Sequence, residues 1–366
     1  MKRPIFIFED KEAVRSDIYK NLKNRLRKTK ILCVKGDGQQ QQNKTYEDQI
    51  EELFQIEAPN GGFVISDKDL SDLGNQFRGL SGTAVATVAD NMGFPLCLYA
   101  RGEGQLRGEE FLKSLAPWEK KRIIIESNTN ERIAEQCALI YRAFSNIETR
   151  YFKLKKSDRG TLSAALSKIL EKPGIEDRIA LYGTGEQGFL QEIMPYQKEN
   201  QAGTEKELNQ RTVRLLGNWL YTSILRFPGI LVNNIAAASY LNINLNDFNK
   251  TSVKEIFEKA RYKGPFSNLY SGMTEWWWRH ELDTIIFSKD CEDGLAYTKF
   301  KKVKGRVRPC KDPQTKERAG YYCMVTEKPV SEKNSKSGIS WFPAGADLAR
   351  IRSDKFNELA PWIGLY

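Results

Sequence analysis

Short apolar runs alternate with amphipathic stretches along the first 150 residues. "PIFIF" (4–8) stops abruptly at Glu9 and Asp10 and reads as a strand. A helical pattern follows, with Ala13, Ile18, Leu22 and Leu26 expected on one side among charged residues. "KILCVKGDG" (30–38) predicts a second strand closing in a glycine turn. The polar "QQQQNKTYEDQIEELFQI" opens as a loop and becomes an amphipathic helix over 46–56. "GFVIS" is a third strand, and it runs into Asp67, with Asp69 and Asp72 close behind. "SGTAVATVADNMG" (81–93) predicts a small-residue helix stopped at Gly93. "FPLCLYARG" (94–102) is a fourth strand, "KKRIIIES" (120–127) a fifth, and "NERIAEQCALIYRAF" (130–144) the helix after it.

Strand-helix alternation repeated in this way predicts an α/β fold: a doubly wound, parallel five-stranded sheet with helices on both faces. In such sheets the working site lies beyond the C-terminal ends of the strands, where the strand order reverses. The first and third strands end in Glu9, Asp10 and Asp67. Three converging carboxylates repel one another by several kcal/mol unless a cation lies among them. Oxygen donors of this kind suit Mg²⁺, which keeps water and phosphate as its other ligands. A plainer role for an aspartate after a strand is to accept backbone N–H bonds in an Asx turn, and Asp69 and Asp72 fit that role better than Asp67.

An apolar strand ending in an acidic pair, with a third strand ending in Asp and a "DxxLS" continuation, resembles the receiver domain of two-component response regulators. The resemblance spans roughly residues 3–145, judged by element order. It implies that Glu9 and Asp10 hold Mg²⁺ and that Asp67 is the phospho-acceptor, with Ser71 at a position where receivers often carry proline. The implied chemistry is phosphoryl transfer onto a carboxylate oxygen, with cations neutralising the equatorial oxygens. Two positions depart from the pattern. Receivers end the fourth strand with Thr or Ser, and here Tyr99 stands there, followed by the usual Ala100. They end the fifth strand with a phosphate-pairing Lys, and here "RIIIES" ends in Glu126 and Ser127, leaving Arg101 as a substitute cation. The expectation is therefore a degenerate, pseudo-receiver domain, ahead of an active receiver and of an unrelated α/β domain.

Residues 146–160 read as a charged connector, which places domains at 1–150, 151–290 and 291–366. The middle region is expected to be mainly helical, from "TLSAALSKILEK" (161–172), stopped by Pro173-Gly174, through a helical pattern over 205–260 that resumes at 230–243. A strand-like "IALY" precedes Gly183-x-Gly185-x-x-Gly188. No acid in a βαβ context follows it, so a turn between helices is expected there rather than a dinucleotide site. Trp276–Trp278 cannot all share one face of a helix, so one ring is expected near a surface or a second layer. His280 is expected to be a buried, hydrogen-bonded residue. The last segment, with strand signals "GYYCMVT" and "GISWFP", predicts a small β or α+β appendage.

Composition narrows the chemistry. One histidine among 366 residues excludes any mechanism that needs two imidazoles. Six scattered cysteines without a CxxC pair do not form a zinc motif, although Cys291, Cys310 and Cys323 could in principle join His280. The apolar N-terminal stretch is too short for a signal peptide, and no run is long enough for a spanning helix, so the expectation is a cytoplasmic protein without membrane association. Of the net charge of +10, much lies in "KFKKVKGRVRPCKDPQTKER" (299–318), where only Asp312 and Glu317 are acidic. This run reads equally as a solvated hairpin with a charged edge or as an anion-binding surface through Lys299, Lys301, Lys302, Lys304, Arg306 and Arg308.

Two functional classes follow. The first is an intracellular signalling or adaptor protein, more a non-enzyme than an enzyme, whose receiver-like domain answers to a kinase or effector protein. The second is a protein that binds or processes nucleic acid through the basic run, with the Trp cluster stacking bases. A setting in bacterial defence or stress is a further expectation, carried by no motif.

Overall fold

The computed structural model describes residues 3–37, 44–70, 73–100, 122–183, 204–267, 275–339 and 342–363. Two compact units interleave along the chain. One holds the described residues up to 100 with 122–165 and 204–218; the other holds 166–183 and everything described from 219 onward.

In the first unit the five apolar runs form β1 (Ile5–Phe8), β2 (Ile31–Val34), β3 (Phe63–Asp67), β4 (Leu96–Ala100) and β5 (Ile123–Glu126). They make one parallel sheet in the order β2-β1-β3-β4-β5. Ile5 to Phe8 are all completely buried, which is why β1 reads as an unbroken apolar run instead of an alternation. The connecting helices are α1 (Glu12–Arg25), α2 (Tyr46–Glu57), α3 (Gly82–Asn91) and α4 (Asn130–Lys153). Contacts pair α1 with α4 and α2 with α3, so both faces of the sheet are covered. On the α2–α3 face Phe6, Phe8, Val64, Leu96 and Leu98 pack together. The Phe54 ring sits 4.7 Å from that of Phe6 and 5.1 Å from that of Phe94. The intervening positions, such as Ile65 and Cys97, face the other way by the two-residue repeat, and Cys97 meets Cys137 of α4.

Local sequence sets the helix starts. Thr45 and Asp48 form a reciprocal capping box on α2, and Ser81 and Thr129 accept the first free N–H groups of α3 and α4. Gly93 takes a φ of +70° just beyond α3, as its expected stop requires. Two expectations change. α1 buries Val14 and Arg15, while Ala13 is exposed. α4 runs on to Lys153 through half of the expected connector, because Tyr141, Phe144, Ile147 and Tyr151 continue its buried stripe.

In chain order α5 (Leu162–Ile169), α6 (Glu176–Ala180) and α7 (Glu205–Trp219) follow. "IALY" is therefore not a strand: its first two residues close α6 and the rest form a turn, since Pro173-Gly174 lets a new helix begin at Glu176. Gly185 and Gly188 lie outside the described residues. Residues 204–218 return to the first unit, where Arg214 Nη1 is 2.5 Å from Asp90 Oδ1 and Lys206 Nζ is 2.6 Å from Asn60 Oδ1.

The second unit is mainly helical with small strands. Its elements are β6 (Leu231–Asn233), α8 (Asn234–Tyr240), α9 (Leu245–Phe248), α10 (Thr251–Lys254), β7 (Trp276–Trp278), α11 (Arg279–Phe287), α12 (Gly294–Phe300), β8 (Tyr321–Cys323), β9 (Lys328–Val330), β10 (Ser335–Lys336), β11 (Ala349–Arg352) and α13 (Ser353–Ile363). The larger sheet has the order β10-β11-β8-β9. Three expectations are corrected here. The stretch 230–243 opens as β6 before turning helical at α8. The three tryptophans form a strand paired antiparallel with β6, and all three rings are buried. Burial of all three is possible because Trp276 Nε1 donates to Leu225 O (3.1 Å) and Trp277 Nε1 to Asn234 Oδ1 (2.8 Å). "GISWFP" forms no strand in its described residues, Ser340 and Trp341 lying outside them; the strand falls at Ser335–Lys336 instead. Among the described residues no helix is long and apolar enough to cross a membrane.

Candidate acidic site at the sheet edge

The order β2-β1-β3-β4-β5 puts its reversal between β1 and β3, so the chain leaving β1 and the last residue of β3 meet at one crevice. There Glu9, Asp10 and Asp67 each offer an oxygen, all within 4.8 Å of one another. Among the described residues this is the one group of three or more acidic, histidine or cysteine side chains placed to hold a metal ion. Cys291, Cys310, Cys323 and His280 form no such group. Glu9 is completely buried, Asp67 is 8% exposed and Asp10 is half-buried, so an ion could reach the carboxylates from one side.

Each carboxylate is held by its neighbours. Glu9 Oε1 accepts the Lys11 N–H at 2.8 Å, and Glu9 Oε2 accepts the Tyr99 hydroxyl. Asp67 Oδ1 accepts the Asp69 N–H at 3.0 Å. The Asx turn expected of Asp69 and Asp72 is thus made by Asp67 itself; Asp72 and Ser71 lie outside the described residues. Behind Asp67, α3 starts so close that a Cβ on Gly82 would lie 2.4 Å from Asp67 O and 2.8 Å from Lys68 O. The Lys68 N–H donates to Tyr99 O at 2.9 Å, which ties the exit of β3 to β4.

Burial pushes the Glu9 carboxyl above its ordinary value, with smaller upward contributions from Asp10 and Asp67. The hydrogen bonds from Tyr99 and Lys11 pull it back only in part. Burial and the adjacent Glu9 charge raise the Tyr99 phenol well above its ordinary value, so it remains a proton donor. The donor set is all oxygen and carries net negative charge, which is the chemistry of a hard divalent cation.

Tyr99 is therefore at the site, as its position at the end of β4 predicts, but its hydroxyl is directed to Glu9. Arg15 escaped the sequence reading. It is nine-tenths buried, and its Nη1 donates to Glu9 O at 2.9 Å. The signal was present: Arg15, Ile18 and Leu22 share one helix face by spacing. Ser127 is buried at the end of β5, where its Oγ accepts the Thr129 N–H at 3.3 Å. Arg101 and the Glu126 side chain lie outside the described residues.

In the second unit Lys299, Lys301, Lys302, Lys304, Arg306 and Arg308 are all exposed. They do not lie on a regular hairpin. Lys299 lies in the last turn of α12, and the following loop makes a single bridge, between Lys311 and Arg318. Arg308 is engaged with the buried Asp247, its Nε lying 2.8 Å from Oδ2. His280 is half-buried, with Nε2 3.3 Å from Glu281 Oε1, and burial lowers its pKa. No family model, no curated protein and no solved structure matches this chain.

Proposed function

We propose that the first unit is a receiver-like signalling module whose acidic site holds Mg²⁺ and whose phosphorylation switch is degenerate. The observation that carries this reading is the convergence of Glu9, Asp10 and Asp67 at the crossover of a β2-β1-β3-β4-β5 parallel sheet. Glu9, Asp10 and Asp67 would supply the carboxylate oxygens, and Mg²⁺ would neutralise phosphate oxygens brought to the site. In an active receiver an Asp67 oxygen would form a bond to phosphorus while the donor's bond to phosphorus breaks and its electron pair leaves with the donor. Two features argue against a working switch here. Tyr99 places on Glu9 the hydroxyl that receivers turn to the new phosphate, and the chain carries no lysine at the end of β5. On this reading the protein is a regulatory or adaptor component that meets a kinase or effector protein, with the second unit as its docking or output region. A histidine kinase or nuclease encoded beside it would support a setting in bacterial defence or stress.

The test is incubation with a radiolabelled small phosphodonor and Mg²⁺. The degenerate site predicts no stoichiometric, hydroxylamine-sensitive label. Such a label on Asp67 would overturn that reading in favour of an active receiver.

A second reading, nucleic-acid binding, is supported by the exposed run from Lys299 to Arg306. It predicts binding to DNA or RNA that weakens steeply with salt, and no binding at low ionic strength removes it.

A further inference from the structure

We infer that the first unit carries a second ligand site, a nucleotide-binding cleft at the N-terminal edge of its sheet, at the opposite strand ends from the acidic cluster. A cleft of about 1230 Å³ opens there. One wall comes from residues that lead into β1, β2 and β3: Arg3 and Pro4, then Leu26 to Thr29, then Ala58 to Gly61. The other wall is the C-terminal half of α4. Pockets for small organic ligands and cofactors generally run to about 300–1,000 Å³, so a nucleoside triphosphate fits.

Charge selects an anion. Arg3, Arg25, Arg27, Lys28, Arg142 and Lys153 line the cleft against two acids, Glu57 and Glu148. The C-terminal turns of α1, α2 and α4 point the same way and bring about half a negative charge each, less than the basic excess. Arg25 reaches out to Glu131 and Glu135, whereas Arg27, Lys28 and Lys153 make no ion pair among the described residues.

Arg3 lines the cleft but is tied to one of its two acids, which leaves the exposed Arg27, Lys28 and Lys153 as the charges open to a ligand. It is only 8% exposed, and its Nε lies 3.0 Å from both carboxylate oxygens of Glu148. Its Nη2 also bonds Glu148, while Nη1 is buried without a hydrogen-bond partner. Tyr141 pins the Arg3 backbone from below, donating its hydroxyl to Arg3 O at 2.9 Å. A buried guanidinium N–H that has lost water and gained no acceptor is rare in a folded protein. A bare phosphate would leave the apolar part of the cleft, Pro4, Leu26, Pro59 and Phe152, unused. Phe152 stands 48% exposed on the same wall, where its ring can take a nucleobase in stacking.

Calorimetric titration of the full chain with ATP tests this, with EDTA present so that no metal bridges ATP to the acidic cluster. The expected result is a saturable one-site isotherm for ATP, with AMP and tripolyphosphate each binding more weakly. The double variant Arg27→Ala/Lys28→Ala and the single variant Phe152→Ala change exposed side chains, and each should weaken ATP by about tenfold or more while circular dichroism stays unchanged. No saturable binding of ATP overturns the inference. So does equal binding of tripolyphosphate, which would show a polyanion surface only, or ATP affinity that neither variant alters.

Discussion

The Tyr99 hydroxyl donates a hydrogen bond to Glu9 Oε2, and both side chains are completely buried at the C-terminal edge of the sheet. This pair joins β4 to the chain leaving β1 across β3, and it settles where the phenol of Tyr99 points. Tyr99→Phe keeps the ring that fills the space and removes the donor. The expected cost is about 1.5–3 kcal/mol, the usual range for a hydrogen bond to a charged group. Urea unfolding should report that loss. Carboxyl NMR should show the Glu9 pKa moving further upward, because the bond from Tyr99 is one of the two contacts that lower it.

The raised Glu9 pKa makes a prediction about pH. Folded Glu9 holds its proton more tightly than unfolded Glu9. Its contribution to stability is therefore fully present below the ordinary glutamate value and is lost as pH rises through the raised folded value. Cation binding runs the other way, since it needs the carboxylate. Thermal unfolding of Glu9→Gln without divalent ions should lose this decline across that window, and any metal-dependent stabilisation of the natural chain should grow through it.

Gly82 is expected to tolerate no side chain. A Cβ there would meet the backbone oxygens of Asp67 and Lys68, neither of which is a flexible side-chain end. Gly82→Ala should destabilise the first unit by about 1–3 kcal/mol, as overpacking does, and displace the exit of β3. Chemical denaturation gives the first quantity, and the amide shift of Asp69, whose N–H is bonded to Asp67, reports the second.

Asp312 makes an independent prediction in the second unit. Its buried carboxylate accepts the N–H groups of Gln314 and Ser331, both at 2.9 Å, and the Asn334 amide at 3.1 Å. Burial alone would raise its pKa, but these bonds outweigh burial and leave it below the ordinary value. Its stabilisation is therefore present above the ordinary aspartate value and lost as pH falls through the depressed one. Asp312→Ala strands several buried donors and should cost about 3 kcal/mol or more by denaturant unfolding.

The first unit was legible in the sequence because its central strands β1, β3 and β4 are buried on both faces and the edge strands are as apolar, so all five read as whole apolar words, from "PIFIF" to "RIII". The acidic cluster was legible for the same reason: each word ends at the residue that reaches the crevice. What was not legible depends on three-dimensional partners. That Tyr99 would bind Glu9 follows from two strands not adjacent in the sheet. The Trp276–Trp278 strand has no period of its own and is defined by its pairing with β6. The arginine-lined cleft draws on short stretches before three strands and one helix wall, none of which forms a motif.

Calorimetric titration with Mg²⁺ tests the central claim most directly. The account predicts one saturable site on the natural chain at neutral pH, a loss of affinity of about tenfold or more in both Asp67→Asn and Asp10→Asn, and weaker binding as acid protonates Glu9. Absence of saturable binding, or affinity unchanged by either substitution, would contradict it.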